Sequence, residues 1–292
     1  MKKKKLIRVI ISLVILNLGV ISFIYLNFYN KKENSKSKVD TPTKEVVNED
    51  QEEQNHYKSY YYYEEENLER YIAYHSLNIE MATGDVVWRV NAKVDQLPYE
   101  NIVVLNEDSM HDKTALINKF YRLPDDFEPR DLIGIGDGNW LDRETYEAFL
   151  EMSAVAESEG AILTPGSTYR SIDSQRGLYE SYVDRDGQEL ADTYSARAGS
   201  SEHHTGRAID FVGEDWTLST FEYTYASQWI QENAWEYGFI LRYPKDYVDV
   251  TRYMYEPWHV TYVGIEVSRI MHQEGISTLE EYHVKFVDHQ PE

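Results

Sequence analysis

The chain has 292 residues, enough for one or two domains, and carries 29 basic against 51 acidic residues, a formal net charge of −22 at pH 7. This acidic balance disfavours nucleic acid as a partner, because nucleic-acid binding requires basic patches. The sequence contains no cysteine, which excludes disulfides, thiolate metal ligands and a lipid-modified N-terminal cysteine.

The N-terminal end has the pattern of a membrane anchor. Residues 1–32 hold seven of the basic residues and no acidic one, so residues 33–292 carry 22 basic and 51 acidic residues, a net charge of −29. Residues 9–29 form an uncharged run of 21 residues, and about 20 apolar residues are enough for a helix to cross the bilayer core. Basic residues before such a run predict that this end stays in the cytoplasm. Residues 1–30 are therefore interpreted as a cytoplasmic basic end and an uncleaved transmembrane helix, with the rest of the chain outside the cell membrane.

A cleaved signal peptide is the alternative interpretation of the same segment. Such peptides have a shorter apolar run that ends in small residues at the cleavage site. Residues 26–30, Leu-Asn-Phe-Tyr-Asn, contain no site of that kind. Both interpretations place the body of the chain beyond the membrane.

Two segments separate the anchor from the C-terminal half of the chain. Residues 31–63 are polar and rich in lysine and glutamate, which predicts a disordered tether between the membrane and the folded part of the chain. The tyrosine run at residues 60–63 carries no recognisable motif, and its simplest interpretation is that these rings begin the folded region. Residues 64–139 are predicted to be an N-terminal extension packed on the domain that follows.

The extension shows only short signals of secondary structure. Apolar residues recur at helical spacing over residues 68–75, and residues 85–90 fit either a short helix or a strand. His75 and His111 stand alone, outside any spaced cluster of potential ligands. We therefore interpret them as surface or core histidines rather than as metal ligands.

Residues 140–292 are predicted to form one domain of mixed helices and strands. Asp142 is a candidate N-cap for a helix that Gly160 ends. Strands are predicted at residues 161–164, 208–212 and 258–263, and further helices at residues 174–182, 229–237, 265–271 and 279–282. Their order, with short connections between helices and strands, favours an α+β fold over a regular parallel βαβ series.

Two stretches in this domain concentrate side chains that bind metal ions. They are Ser201-Glu202-His203-His204-Thr205-Gly206-Arg207-Ala208-Ile209-Asp210 and Glu256-Pro257-Trp258-His259. A catalytic zinc site uses three protein ligands, an open position for water and a nearby base. We interpret His203, Asp210 and His259 as the ligands of one zinc ion, and Glu256 as the base.

The spacing of these residues is compatible with a single site. Gly206 permits a turn between His203 and Asp210 that other residues resist. Asp210 then lies on the predicted strand at residues 208–212, with His203 on the loop that leads into it. His259 lies on a second predicted strand, whose alternation of side chains separates it from the apolar residue that follows.

The two stretches resemble the zinc D-alanyl-D-alanine carboxypeptidases of the VanY type, a family within a wider group that shares a Hedgehog-like fold. The pattern S-x-H-x-x-G-x-A-x-D is matched at Ser201, His203, Gly206, Ala208 and Asp210, and the pattern E-x-W-H at Glu256, Trp258 and His259. Further matches flank them at residues 167–171 with Gln175, and at residues 237–244. The resemblance covers about residues 140–283, roughly half of the chain, with the motifs in the family's order.

The resemblance implies both a fold and a chemistry. The expected fold is α+β, a Hedgehog/DD-peptidase-like antiparallel sheet with flanking helices, and the expected activity is zinc-dependent removal of the C-terminal D-alanine from peptidoglycan stem peptides. It implies His203 rather than His204 as the ligand, since relatives often have glutamine at the second position. Arg170 is expected to contact the terminal carboxylate of the substrate and to stabilise the charge that develops on the carbonyl oxygen. Gln175 and Ser201 are expected to hydrogen-bond the peptide.

The chain departs from the family pattern at two positions. Ala198 stands where relatives often have proline, and Arg252 stands where glycine is usual. Neither departure removes a ligand, so both bear on the preference for substrate rather than on zinc. Selectivity is expected to depend on the loops at residues 184–197 and 246–252.

The sequence leaves several alternatives open. An L,D-carboxypeptidase acting on tetrapeptide stems is the nearest one, and a non-catalytic zinc-containing module that binds the cell wall is another. Retention of Glu256 favours an enzyme. Arg170 has the alternative of a structural ion pair with a carboxylate, and Ser201 that of a cap for its loop. Trp258 and Arg242 are interpreted as structural residues.

Overall fold

The computed structural model describes residues 55–213 and 217–289. The expected membrane anchor, residues 1–30, and most of the expected tether lie outside the described residues. Within them, the structure contains no helix that is both long and apolar enough to cross a membrane.

Within the described ranges, short strands form three sheets. In chain order the strands are β1 (Val103–Val104), β2 (Tyr121–Arg122), β3 (Leu132–Gly136), β4 (Asn139–Asp142), β5 (Thr164–Ser167), β6 (Ala208–Val212), β7 (Phe239–Leu241) and β8 (His259–Tyr262). A parallel pair, β1 with β2, and a hairpin, β3 with β4, are two-stranded. The third sheet has four antiparallel strands in the order β5-β6-β8-β7 and carries the metal-binding motifs.

Helices precede, separate and follow these strands. In chain order they are α1 (Leu68–Leu77), α2 (Thr83–Asn91), α3 (Glu107–Met110), α4 (Arg143–Ser158), α5 (Ile172–Asp186), α6 (Gln188–Ala191), α7 (Tyr225–Asn233), α8 (Val248–Thr251), α9 (Ile265–Glu274) and α10 (Leu279–Tyr282). Short 3-10 segments lie at Glu65–Asn67, Glu202–Thr205, Phe221–Tyr223, Ala234–Tyr237 and Lys245–Tyr247, and a π-helical turn at His283–Val287. An antiparallel sheet with helices between its strands is the expected α+β class.

The four-stranded sheet buries one face against two helices. On β6 this face carries Ile209 and Phe211, and on β8 it carries Val260. Helices α4 and α7 pack against it through Phe149 and Trp229. Burying each such side chain contributes roughly 1.5–3 kcal/mol. Because side chains alternate along a strand, the residues between these apolar ones lie on the opposite face.

Helix α4 begins and ends where the sequence predicts. The side chain of Asp142 accepts a hydrogen bond from the backbone N–H of Thr145 at 3.4 Å, which satisfies a donor of the first turn. Gly160 has a φ of 90°, a left-handed conformation that glycine adopts without steric cost. Of the two structures that fitted residues 85–90, the helix is the correct one, because they lie within α2.

The strand predicted at residues 161–164 is wrong over its first three residues, because β5 begins only at Thr164. Ala161 and Leu163 are buried while Ile162 is 60% exposed, an alternation that also marks a strand. However, these three residues have no strand structure, and β5 starts where Thr164 pairs with Val212. A loop that packs on the core therefore produced the pattern of a strand.

The folded region begins earlier than the sequence suggested. Tyr57 and Tyr62 are 0% and 6% exposed and lie in one apolar cluster of the extension. Val250 of α8 and Val284 join the same cluster, so the extension packs on the C-terminal domain. The tether expected at residues 31–63 must therefore end before Tyr57, and the tyrosine run belongs to the folded region.

The two isolated histidines of the extension join no cluster of metal ligands among the described residues. His75 lies 2.8 Å from the hydroxyl of Tyr57 through Nδ1 and 3.1 Å from the carbonyl oxygen of Met81 through Nε2. His111 Nε2 lies 3.6 Å from a carboxylate oxygen of Glu107. These contacts agree with the interpretation of both as structural histidines.

Candidate metal centre

Three side chains converge on the face of the sheet opposite the apolar cluster. His203 lies on the 3-10 helix Glu202–Thr205, Asp210 on β6, and His259 at the start of β8. The antiparallel register of β6 and β8 places Asp210 directly opposite His259. One potential ligand atom from each residue lies within 4.8 Å of the other two. All three side chains are buried.

The chain turns from His203 towards Asp210 at Gly206. Its φ is 72°, in the left-handed region where glycine has no steric penalty. A Cβ atom at this position would lie 2.8 Å from the backbone nitrogen of Asp142, so a larger residue requires the neighbouring backbone to move. His203 was expected on a loop, and it lies instead on a 3-10 helix that Gly206 ends.

The contacts among the three residues fit a bound cation better than they fit hydrogen bonds. Asp210 Oδ2 lies 3.2 Å from His203 Nε2, and Asp210 Oδ1 lies 2.9 Å from His259 Nδ1. Nevertheless Oδ1 is buried and has no hydrogen-bond partner, so its contact with His259 is close without having hydrogen-bond geometry. A cation between the imidazoles and the carboxylate satisfies this oxygen, and a set of two imidazoles and one carboxylate suits Zn²⁺.

Each imidazole is oriented by a contact at its other nitrogen. His203 Nδ1 lies 2.6 Å from the carbonyl oxygen of Thr168, so this nitrogen carries the proton and Nε2 is free to bind a metal. His259 Nε2 lies 3.3 Å from Thr261 Oγ1 and 3.5 Å from a carboxylate oxygen of Glu202, which leaves Nδ1 for the metal. Partners of this kind fix the tautomer and raise the basicity of a ligand.

Glu202 belongs to a buried chain of charges. Arg242 Nε donates to Glu202 Oε1 at 2.6 Å, and its two terminal nitrogens donate to Glu280 at 2.8 and 2.9 Å. None of the three residues is more than 2% exposed. Removing one partner from such a buried network costs about 3–5 kcal/mol, because it leaves an uncompensated charge. Arg242 is thus a structural residue, as expected, and it also holds the carboxylate that faces His259.

Sequence reasoning missed Glu202. The only signal for it was its place between Ser201 and His203 in the first motif, and no local pattern indicated its partner. Burial opposes ionisation of this carboxyl, but the charge of Arg242 outweighs burial and holds the pKa of Glu202 at about 2. A carboxylate that stays ionised can accept the proton of His259 Nε2 as a hydrogen bond.

The charges of the cluster follow from burial and proximity. Burial opposes ionisation of Asp210, but the imidazoles of His203 and His259 hold the pKa of its carboxyl well below the usual range. Burial lowers the pKa of His203. Burial also disfavours the charged form of His259, but Asp210 and Glu202 outweigh it and raise the pKa of His259 to about 10. The buried carboxylates therefore attract positive charge to this position.

Glu256 lies beside the cluster without belonging to it. Its Oε2 is 3.6 Å from His259 Nδ1, the nitrogen that faces Asp210. The N–H of Glu256 donates to the carbonyl of Tyr243 at 3.1 Å, and its carbonyl accepts from the N–H of His259 at 3.2 Å. Burial raises the pKa of the Glu256 carboxyl to about 8, and a bound cation acts in the opposite direction. The position suits a base that acts beside the metal rather than a fourth ligand.

Arg170 reaches the same cavity, and its contacts leave its charge unpaired. Its Nη1 donates to Gln175 Oε1 at 2.6 Å, and its Nη2 donates to Ser167 Oγ at 2.7 Å. Both partners are neutral, so the alternative of a structural ion pair finds no carboxylate among the described residues. Gln175 is 1% exposed and donates to the carbonyl of Ala196 at 2.6 Å, so it orients Arg170 as well as lining the cavity. Ser201 also lines the cavity, and its side chain makes no cap hydrogen bond.

His204 uses both ring nitrogens on the backbone. Its Nδ1 lies 2.7 Å from the carbonyl oxygen of Arg170, and its Nε2 accepts the N–H of Gly199 at 3.1 Å. Burial lowers the pKa of His204 to about 4, so the ring stays neutral near pH 7. Of the two adjacent histidines, only His203 has a nitrogen directed at Asp210.

An open cavity of about 340 Å³ gives access to the cluster. Its wall also contains Arg170, Gln175, Ser201, Glu256, Tyr182, Tyr194, Leu218, Tyr253, Met254 and Trp258. Two imidazoles, a carboxylate, an adjacent glutamate and an arginine are the groups that a zinc-dependent peptide hydrolase needs. The fold and the site together define the chain as a member of that class.

Comparison with known proteins gives the family. The VanY family model, D-alanyl-D-alanine carboxypeptidase, matches residues 138–265. YodJ of Bacillus subtilis (strain 168) is 39% identical over 184 residues, which cover 59% of this chain and 67% of YodJ. VanXYC of Enterococcus gallinarum, a bifunctional D-Ala-D-Ala dipeptidase and D-Ala-D-Ala carboxypeptidase, is 31% identical over 182 residues, 58% of this chain and 92% of VanXYC. The chain belongs to the VanY family of carboxypeptidases.

Solved structures agree with this fold. LdcB, an LD-carboxypeptidase, has a TM-score of 0.56 and 34% identity over 63% of this chain and 90% of LdcB. A variant of the vancomycin-resistance D,D-pentapeptidase VanY in complex with Zn(II) has a TM-score of 0.52 and 26% identity, over 58% of this chain and 98% of that one. VanYB in complex with D-alanine-D-alanine has a TM-score of 0.53 and 27% identity, over 58% and 96%. The family, the Hedgehog-like α+β fold and the zinc-dependent carboxypeptidase class expected from the sequence are thereby confirmed.

The choice between the adjacent histidines can be tested by metal analysis of two variants. His203→Ala should lose stoichiometric zinc, because it removes one of three ligands. His204→Gln should keep one zinc per chain, because the ring it replaces contacts only the backbone. The measurement is zinc content after dialysis against a zinc buffer. Loss of zinc from His204→Gln together with full retention in His203→Ala would contradict the assignment.

Proposed function

We propose that the protein is a D,D-carboxypeptidase that removes the terminal D-alanine from peptidoglycan stem peptides ending in D-Ala-D-Ala. The observation that carries the proposal is the guanidinium of Arg170, which pairs with no carboxylate among the described residues and shares a cavity with Glu256 and the three-residue cluster. This arrangement suits a substrate whose free carboxylate lies one residue from the bond to be cleaved. VanXYC acts on D-Ala-D-Ala and VanYB binds it, which supports the same substrate here.

We assign each part of the hydrolysis to particular residues of the chain. A zinc ion held by His203, Asp210 and His259 supplies Lewis-acid activation of water and of the peptide carbonyl. Glu256 accepts a proton from the water that attacks the carbonyl carbon, and it passes that proton to the nitrogen of the leaving D-alanine as the C–N bond breaks. Arg170 binds the terminal carboxylate and adds positive charge where the carbonyl oxygen becomes negative.

Substrate position depends on how firmly Arg170 is held. Gln175 and Ser167 fix two guanidinium nitrogens, and the backbone N–H of Arg170 donates to the carbonyl of His203 at 3.1 Å. Because the last contact joins the backbone of Arg170 to that of a metal ligand, we infer that it limits variation in the distance between the bound carboxylate and the metal. Ser201, whose side chain makes no cap bond, is proposed to hydrogen-bond the peptide.

An L,D-carboxypeptidase acting on tetrapeptide stems is the second candidate. The observation in its favour is the likeness to LdcB, at 34% identity and a TM-score of 0.56. Both activities release a residue with a free carboxylate, so Arg170 serves either. They differ in the residue before the cleaved bond, and the D-Ala-D-Ala enzymes among the relatives favour the first candidate.

We also propose that the catalytic domain lies outside the cell membrane, held by residues 1–30 and a tether that ends before residue 57. The support is the uncharged run of 21 residues after a basic end, a pattern typical of a single span with a cytoplasmic N-terminus. A substrate in the cell wall requires a catalytic domain on that side.

The role of Glu256 can be tested by single-turnover cleavage with zinc-loaded variants. Glu256→Gln keeps the size of the side chain but cannot accept a proton, so the rate should fall by about 10² to 10⁴ while zinc stays bound. Glu266→Gln, at an exposed carboxylate on α9, is the matched control and should cleave normally. The assay measures D-alanine released from a pentapeptide ending in D-Ala-D-Ala and from the corresponding tetrapeptide.

Two outcomes of this assay would contradict the account. Near-normal cleavage by Glu256→Gln would show that another group is the base. Faster release from the tetrapeptide than from the pentapeptide by the unmodified protein would overturn D,D-specificity in favour of the L,D alternative.

The membrane location can be tested with protease added to intact cells. Cleavage within residues 31–56 should release a soluble acidic fragment that contains the catalytic domain, because only the tether is expected to be open to attack on the outer side. The fragment is measured by its mass and its first residue. A mature protein that begins after residue 30 and is free in the medium would show a cleaved signal peptide instead.

A further inference from the structure

A lysine of the N-terminal extension reaches two loops of the catalytic cavity. Lys119 precedes β2, outside residues 138–265 that match the family, and is only 3% exposed. Its Nζ donates to the carbonyl oxygen of Asp192 and, at 2.5 Å, to that of Arg252. The two acceptors lie at the ends of segments that line the cavity, Tyr194 to Ala196 on one side and Tyr253 with Met254 on the other.

The hydrogen-bond acceptors of Lys119 are backbone carbonyl oxygens of two loops, so its side chain bridges the two backbones. Its ammonium group donates to both oxygens, and its Nζ lies 4.1 Å from the centre of the Tyr253 ring. An ammonium group next to an aromatic face and two carbonyls has its charge stabilised by these groups, and the nearby carboxylates of Asp192 and Glu256 add to this through space. Burial lowers the pKa of Lys119 to about 8. A buried lysine that crosses between two loops restricts the movement of both.

The backbone conformation of Arg252 shows why this bridge between the two loops matters. Its φ is 64°, a left-handed conformation that costs a residue with a side chain about 1–2 kcal/mol and that glycine adopts freely. The Arg252 guanidinium donates to the carbonyls of Val94 and Gln96, and its own carbonyl accepts from Lys119. The extension therefore holds the strained residue at both its side chain and its backbone.

Tyr99 makes a second connection from the extension to the same two loops. Its hydroxyl oxygen accepts the backbone N–H of Arg197 at 3.3 Å and lies 3.4 Å from the hydroxyl of Tyr253. The Arg197 guanidinium lies 3.9 Å from the centre of the Tyr99 ring and pairs with Asp192 at 2.7 Å. The loops also meet directly where the N–H of Met254 donates to the carbonyl of Thr193 at 2.9 Å.

We propose that Lys119 is a positioning residue for substrate, and that with Tyr99 it clamps the two loops that form one wall of the catalytic cavity. The clamp rests on the proposed function, because it shapes the wall that receives the stem peptide. It gives the extension a role in the reaction without a contact to the metal. The wall is thus completed by a segment that lies before the residues matched by the family model.

The test compares Lys119→Met with Lys113→Met in the zinc-loaded full-length protein held in detergent. Lys113 belongs to the same extension but pairs with Glu144 at the surface, so its removal leaves the clamp intact. Lys119→Met should raise KM for the D-Ala-D-Ala pentapeptide by about tenfold with kcat within about threefold, because the hydrogen bonds of Lys119 go to the loop backbones and not to the metal ligands or Glu256. Zinc content should stay at one per chain. Lys113→Met should change none of these values.

A second readout does not depend on activity. Hydrogen–deuterium exchange at the amide of Met254, which bonds to Thr193, should become at least about tenfold faster in Lys119→Met and stay unchanged in Lys113→Met. Adding Arg252→Gly to Lys119→Met should lower KM again, because glycine needs no support at this backbone position. If Lys119→Met does not fold, Tyr99→Phe, which removes one hydroxyl, is measured instead and should also raise KM and speed the exchange.

The outcomes separate the clamp from the proposed function. Unchanged KM and unchanged exchange at Met254 would overturn the clamp, and so would a fall in kcat and zinc content that matches the rise in KM. If the unmodified protein releases no D-alanine from either peptide, the proposed function fails. Faster exchange at Met254 would in that case still show that Lys119 holds the loops.

Discussion

The pairing of β6 with β8 is the constraint on which the site depends. Asp210 and His259 are direct partners in this antiparallel register, and Ile209 is the partner of Val260. Because side chains alternate along each strand, one register places the first pair at the cavity and the second pair in the apolar cluster. A slip of one residue would turn the ligands into the core and the apolar side chains into the cavity. Hydrophobic burial on one face of the sheet thus keeps the metal ligands aligned on the other.

Around that pair, buried partners hold the side chains in one arrangement. The carbonyl of Thr168 orients His203, and Glu202, itself held by Arg242, faces the remote nitrogen of His259. Lys119 and Tyr99 of the extension likewise contact the loops of the cavity wall through hydrogen bonds. A site that is ordered before substrate arrives loses less entropy on binding and keeps its reacting groups in place. The long buried contacts are therefore proposed to support catalysis without touching the reacting atoms.

The cluster of His203, Asp210 and His259 with Glu256 beside it, and the α+β class, could be predicted because short motifs with restricted geometry contain them. The orienting contacts could not, since Glu202 meets Arg242 across 40 residues and Lys119 meets the Arg252 carbonyl across 133. No local pattern encodes pairs at such separations. The departure at Arg252 from the pattern that the resemblance implies was visible, but its meaning required the backbone angle of 64°. The strand predicted at residues 161–163 was wrong because buried and exposed side chains can alternate along a loop that packs on the core, as they do along a strand.

Diffraction recorded at the zinc absorption edge, from crystals of the zinc-loaded protein, tests the central claim most directly. The account predicts one anomalous peak per chain, about 2.0–2.2 Å from His203 Nε2, His259 Nδ1 and an oxygen of Asp210. Glu256 should lie beside the peak and outside bonding distance. A peak bonded to His204, or a zinc ion that takes Glu256 as a ligand in place of Asp210, would contradict the account.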